Sequence, residues 1–204
     1  MELKDLSCSE FTGQLAAKTP VPGGGGACAL AGAVGAALGV MVGNLTVGKK
    51  KYEANEAALR KLMAEAESLR LRLLACIDED AEAFEPLSRA YGIPKGTPGR
   101  EETMEACLRA AAETPYKILC LCCETIDLHR EFAEKGSVLA VSDAATGAAL
   151  CRGALCSAAV NVKSNTTYMK DRAYADDLNA RVDEKLAAYC KAADEIFGGV
   201  YSKL

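Results

Sequence analysis

Residues 19–52 read TPVPGGGGACALAGAVGAALGVMVGNLTVGKKKY, and the fold turns on how this stretch is assigned. From residue 21 to residue 47 there is no charged side chain; the segment opens on four glycines and closes on three lysines. Roughly 20 apolar residues suffice to cross a bilayer, so length alone admits a membrane span. Composition points elsewhere: Ala and Gly dominate, each contributing little transfer free energy, and no other segment of the chain is comparably apolar. The stretch reads as a buried helix of a soluble bundle, with no membrane partner. Gly35, Gly39 and Gly43 recur every four residues. That spacing lets helix backbones approach closely, and we expect a helix of a second copy to cover this face. The sequence PGGGGACA lacks the Gly-Lys-Ser/Thr ending of a Walker loop. What remains is a turn whose N–H groups open a helix, either a ligand cradle or a tight interhelical connection.

Outward from this helix the chain is helical throughout. Aromatic residues make up 5% of the sequence, and no alternating β-branched runs are bounded by hairpin turns. Ser7 and Glu10 have the spacing of a capping box, so a short first helix runs to about residue 17. The others are expected over about 27–47, 52–91, 100–135, 142–165 and 171–197. Pro115 should kink the fourth, Ser142 should cap the fifth, and Gly198 and Gly199 should end the sixth. The expected architecture is an all-α bundle of about five to six helices, forming one domain over residues 1–204.

The formal net charge of −4 gives no basic excess for nucleic acid. The opening MELKDLSCSE has no apolar core of a secretory signal, which implies a cytoplasmic protein. In that setting the ten cysteines read as free thiols. Cys120 and Cys123 form a CxxC without a second ligand pair, so they are assigned to the core and no metal is expected.

Several of these stretches together resemble the cyclodeaminase/cyclohydrolase family, which comprises the cyclodeaminase domain of formiminotransferase-cyclodeaminase and stand-alone methenyltetrahydrofolate cyclohydrolases. They are residues 19–25 (TPVPGGG), the Ala/Gly helix, NLTVGKKKY (44–52), IDEDAEAF (77–84) and SDAATGAAL…AAVNVKSN (142–165). The resemblance covers nearly the whole chain. It implies an all-helical homodimer with its site near the dimer interface, a one-carbon tetrahydrofolate substrate and no further cofactor. On the matching positions it implies acid–base residues at Asp80 or Asp78. It also implies substrate contacts from Thr19, Pro22, Gly23, Gly24, Gly25, Lys49, Lys50, Asp143, Asn161 and Lys163. Two departures stand out: Gly26 replaces a customary Ser, and KGSVLAVSD replaces a Gly-Asn-Pro-like turn.

Two reactions fit. A cyclohydrolase adds water to the cationic carbon between N5 and N10 of methenyltetrahydrofolate; a cyclodeaminase lets N10 attack a formimino carbon on N5 and expels ammonia. Both need a proton acceptor, a proton donor and negative charge near an amidinium-like carbon. At about 100° per residue, Asp80 shares an apolar stripe with Leu73, Ile77, Phe84 and Leu87, while Asp78, Glu79 and Glu82 point away. A carboxylate on that stripe must be paired, protonated or lining a pocket. Asp78, which would face a second surface of a dimer, is the alternative acid. Asp143 and Asn161 lie 18 residues apart on one helix face, about 27 Å along the axis. Within one subunit they can touch only the two ends of an elongated folate; antiparallel pairing would instead bring Asp143 of one copy near Asn161 of the other. Lys49, Lys50 and Lys51 either complement the helix C-terminus or hold folate carboxylates. His129, the single histidine, reads as a core or interface residue. The stand-alone length favours cyclohydrolase over cyclodeaminase, and a non-catalytic folate-binding dimer is the reading from another class.

Overall fold

A computed structural model describes residues 2–204. Six α-helices account for most of it: α1 (Cys8–Leu15), α2 (Gly24–Asn44), α3 (Glu56–Tyr91), α4 (Arg100–Lys135), α5 (Val141–Thr166) and α6 (Arg172–Tyr201). Short 3₁₀ turns cover Leu3–Asp5 and Lys50–Asn55, and there is no β-strand among the described residues.

Local chemistry explains most boundaries. Ser7 Oγ accepts from the Glu10 N–H at 3.2 Å while Glu10 accepts from the Ser7 N–H at 2.9 Å, closing the capping box of α1. α2 starts at Gly24, earlier than the expected residue 27, because the glycines themselves turn into the helix behind an extended Gly23. α3 starts at Glu56, later than expected, because residues 50–55 tighten into a 3₁₀ turn. Ser142 is not the cap of α5; it lies inside the first turn, where its carbonyl accepts from Thr146 Oγ1. α6 does not end at Gly198 and Gly199 but continues to Tyr201, whose ring stacks on Phe197 at 5.4 Å. α4 runs on through Pro115 without a break.

α2 is the centre of the bundle, packed against α3, α4 and α5, while α6 covers α4 and α5. By length and hydropathy (1.9 over its most apolar window) it would pass for a membrane span, yet 56% of that window is buried by the chain's own helices. α2 and α5 run antiparallel, Gly24 beside Asn161 and Gly35 beside Gly147 and Cys151. Both helices are rich in small buried residues, Ala29, Ala33 and Ala36 on α2 and Ala144, Ala148, Ala154 and Ala158 on α5.

The glycine face was expected to await a partner helix, and here the structure corrects the sequence reading. A Cβ on Gly35 would lie 2.4 Å from Cys151 Sγ and 3.0 Å from Gly147 O; on Gly39, 2.9 Å from Phe132 Cε2; on Gly43, 2.3 Å from Met63 Cγ. The chain's own α3, α4 and α5 consume this face. What α2 leaves uncovered is a different stripe, including Val34, Met41 and Leu45, each 43 to 46% exposed. α5 adds Val160 at 69%.

His129 is bolted into the centre, 1% exposed, with Nε2 3.0 Å from Gly35 O. A carbonyl only accepts, so Nε2 carries a proton, and Nδ1 has no partner. Burial pushes its pKa down to about 4, the bond to Gly35 opposing this only in part. The unfolded chain therefore takes up a proton below about 6.5 while the folded chain resists until about 4, so stability falls on acidification through that window. Urea unfolding of wild type and His129→Gln at pH 7, 6 and 5 should show the wild type losing up to about 1.4 kcal/mol more per pH unit than the variant. Parallel profiles would show that the buried ring is not the titrating group.

Candidate active site at the glycine turn

The N-terminus of α2 is built to receive a carboxylate. Asp80 projects from the core-facing stripe of α3, and its Oδ2 accepts the Gly26 N–H at 3.1 Å. A Cβ on Gly25 would stand 2.0 Å from Asp80 Oδ1, so only glycine admits the carboxylate here. A hydrogen bond from a helix N-terminus favours the charged form. Burial acts more strongly in the opposite sense, and Asp80 holds its proton more tightly than an ordinary aspartate. No ion pair engages Asp80 among the described residues, so the buried carboxyl faces the turn without a countercharge. Beside it the Cys28 thiol is pushed up to about 12, first by burial and then by Asp80 itself.

Asn161 reaches the same turn from α5. Its Nδ2 donates to Ser157 O at 2.8 Å, which fixes the carboxamide and directs Oδ1 toward Gly24. A Cβ on Gly24 would lie 2.9 Å from that oxygen. Asp80 and Asn161 therefore flank adjacent glycines, whose Cα atoms stand about 3.8 Å apart. Pro22 is buried behind the turn, 3.7 Å from where a Gly26 Cβ would sit, and Gly23 caps the helix. Gly26, the position that lacks the customary Ser, has ordinary van der Waals room for a side chain. Thr19 lies exposed on the approach, its hydroxyl 3.4 Å from Gln14 O.

The remaining residues singled out in the sequence lie elsewhere. Asp78 is turned to the N-terminal segment: Oδ1 accepts the Leu3 N–H at 2.6 Å and Oδ2 lies 3.4 Å from Lys4 Nζ. Lys163 pairs with Asp183 of α6 at 2.6 Å, on the exposed α5–α6 edge. Lys49, Lys50 and Asp143 sit at the far end of the antiparallel α2–α5 pair, about 27 to 30 Å from the glycine turn. There Ser137 and Tyr52 organise the α4–α5 connection. The Ser137 N–H donates to Thr46 Oγ1 at 2.8 Å and the Val138 N–H to Tyr52 Oη at 3.0 Å, while Lys49 Nζ lies 3.5 Å from Ser137 Oγ. A cavity of about 630 Å³ opens at this lysine end, not at the glycine turn, between Lys51, Tyr52, Arg130, Val138, Val141 and Lys203. Neither Ser157 nor Ser137 was singled out in the sequence; the signal for Ser157 is its place one helical turn before Asn161.

The sequence model of the formiminotransferase-cyclodeaminase family matches residues 7–184. A methenyltetrahydrofolate cyclohydrolase of Methylorubrum extorquens is 39% identical over 95% of this chain and 95% of its own length. The formimidoyltransferase-cyclodeaminase of Mus musculus is 28% identical over 98% of this chain but only 38% of its own length. The crystal structure of formiminotetrahydrofolate cyclodeaminase from Thermotoga maritima superposes with a TM-score of 0.85 at 28% identity, covering 98% of this chain and 100% of that one.

The two acids of the α3 motif should separate cleanly by mutation. Asp78→Ala leaves the Leu3 N–H without its acceptor and Lys4 with Glu2 as its remaining partner, which should cost about 1 to 3 kcal/mol in denaturant unfolding and speed amide exchange at Leu3. Turnover on tetrahydrofolate substrates should stay within a few-fold of wild type. A collapse of turnover at unchanged stability would transfer the chemistry from Asp80 to Asp78.

Proposed function

The chain belongs to the formiminotransferase-cyclodeaminase family, and from that premise we propose that it is a methenyltetrahydrofolate cyclohydrolase whose proton transfers run through Asp80. The reading is supported by the Methylorubrum extorquens cyclohydrolase, which this chain matches at 39% identity along nearly the full length of both. The observation that carries the mechanism is a carboxyl without an ion-pair partner, seated against Gly25, where no side chain fits, and bonded to the Gly26 N–H.

In this reaction the carbon between N5 and N10 is already cationic, so the chain must place water and move one proton twice. The water oxygen bonds to that carbon while the Asp80 carboxylate takes the water proton. The carbon–N5 bond then breaks as Asp80 returns that proton to N5 and the adduct's hydroxyl gives its remaining proton to solvent, leaving the formyl group on N10. A carboxyl whose pKa burial has raised is a better proton acceptor than an ordinary aspartate and can still give the proton back, which suits it to both directions. Asn161 Oδ1 and the glycine N–H groups orient the pterin side. No Lewis acid is needed to activate an electrophile that carries its own positive charge, and we assign no metal and no cofactor beyond the folate.

The separation of the α2–α5 ends supports a site shared with a second copy. Thr19, Gly23, Gly24, Gly25 and Asn161 gather at one end and Lys49, Lys50 and Asp143 at the other, too far apart for one small ligand. The exposed stripe of Val34, Met41 and Leu45 runs between them. Antiparallel association of two such stripes places the lysine end of one copy beside the glycine turn of the other, giving a homodimer with its site at the interface. We take this to be a single-domain cytoplasmic enzyme that uses neither nucleic acid nor membrane. Val34→Asp should convert the dimer to monomer in light scattering; a wild-type protein monomeric at micromolar concentration would remove this part of the proposal.

A second reading is favoured by the Thermotoga maritima structure, a formiminotetrahydrofolate cyclodeaminase whose entire chain is covered here. Stand-alone length is therefore no discriminator between the two reactions. The deciding experiment assays purified protein on 5,10-methenyl- and 5-formiminotetrahydrofolate, with wild type beside Asp80→Asn, Gly25→Ala and Gly26→Ala. Asp80→Asn keeps an acceptor for the Gly26 N–H and should lower kcat by at least about 100-fold with little change in folate binding. Gly25→Ala should do the same by displacing the carboxylate, whereas Gly26→Ala, which has room, should stay near wild type. Wild-type turnover in Asp80→Asn would end the assignment, and a product ammonia signal without hydrolysis would replace cyclohydrolase by cyclodeaminase.

A further inference from the structure

The α5–α6 seam carries a thiol pair that the folate chemistry does not use. The two helices pack antiparallel in one constant register: Arg152 pairs with Asp194 at 2.8 Å, Lys163 with Asp183 at 2.6 Å, and Thr166 Oγ1 donates to Asn179 Oδ1 at 2.8 Å. Between these pairs, in the same register, Cys156 Sγ and Cys190 Sγ stand 3.6 Å apart. The sulfurs are thus in van der Waals contact, held there by polar pairs on both sides.

Their exposure differs from that of the other thiols at the centre. Cys28, Cys76, Cys122 and Cys151 are sealed in the core, whereas Cys156 and Cys190 are half-buried on the outer seam, within reach of a small oxidant. We propose that Cys156 and Cys190 form an oxidisable dithiol, which a peroxide closes into an intrachain disulfide linking α6 to the turn of α5 that precedes Asn161. One thiol attacks the peroxide, releasing water and leaving a sulfenic acid; the second thiol attacks that sulfur, forming the S–S bond and releasing a second water. The two cysteines lose two electrons and the peroxide gains them. Burial and its neighbour Cys156 push Cys190 up to about 11, so Cys190 retains its proton and suits the resolving role. Bringing sulfurs from contact to bond length takes small side-chain rotations, with the backbone already in register.

The test treats the full-length chain with one to two equivalents of hydrogen peroxide, alkylates the remaining thiols and maps peptides by mass spectrometry without reduction. The expected result is loss of two of the ten alkylatable thiols, a linked peptide joining Cys156 to Cys190 that is 2 Da lighter than its parts, and full reversal by dithiothreitol. Cys190→Ser should abolish the link and leave Cys156 as a sulfenic acid trapped by dimedone. Independent oxidation of the two sulfurs to sulfinic acids, links to other cysteines or between chains, or alkylation of both thiols after peroxide treatment would each overturn the proposal. The wild-type peptide map gives this answer whether or not the variant folds.

Discussion

Gly35 and Gly147 face one another so closely that a Cβ on either would stand 3.0 Å from the carbonyl oxygen of the other. This contact between α2 and α5 constrains everything around it. Because the backbones touch at mid-helix, the antiparallel pair stays close along its length, and Gly24 arrives beside Asn161 three turns away. The same closeness leaves a slot into which the His129 ring fits, bonding Gly35 O while a Gly147 Cβ would collide with it at 2.2 Å. α4 is thereby registered against both helices, and α3, packed on the other side of α2, delivers Asp80 to the glycine turn.

At that turn two opposing electrostatic effects meet. The first-turn N–H of Gly26 and the dipole behind it favour a charged carboxylate, and burial favours a neutral one. Burial prevails because only one N–H reaches Asp80 and no cation balances it. Two residues earlier on the same helix, Asp78 has both an N–H and a lysine, and serves as an anchor. One acidic motif thus divides its work by helical phase: the outward acid fastens the N-terminal segment, and the inward acid binds its proton more tightly than an ordinary aspartate.

Much of this was legible in the sequence. The 100° phase of α3 set Asp80 apart from Asp78, Glu79 and Glu82, and a carboxylate on an apolar stripe announces itself chemically. Asn161 was legible through the family's Asn-Val segment, and its 18-residue separation from Asp143 correctly divided the motifs between two ends. The partner of the glycine face was not legible. Spacing reveals that something approaches a Gly-x-x-x-Gly ridge but not which helix does so, and Phe132, Met63 and Cys151 are far away in sequence. Two of the missed boundaries, the start of α2 and the end of α6, share a cause as well. Gly24 to Gly26 are poor helix formers in isolation, and Gly198 and Gly199 are usual terminators; in both places tertiary packing or a neighbouring ring stack holds a helix that local propensity would not.

The Ala/Gly seam between α2 and α5 also has a meaning for how such a gene changes. Any amino-acid replacement at Gly35 or Gly147 adds at least a Cβ where the nearest atoms leave none, and almost any at Ala29, Ala36 or Ala148, elsewhere on the same two helices, adds volume to sites with no exposed surface. Genetic drift on the outer faces of α3 and α6 has many nearly neutral steps open to it. The seam has few, since relief at one glycine would require a simultaneous loss of volume on the opposite helix, where there is little left to lose. This stretch of the chain is therefore free to change only in pairs.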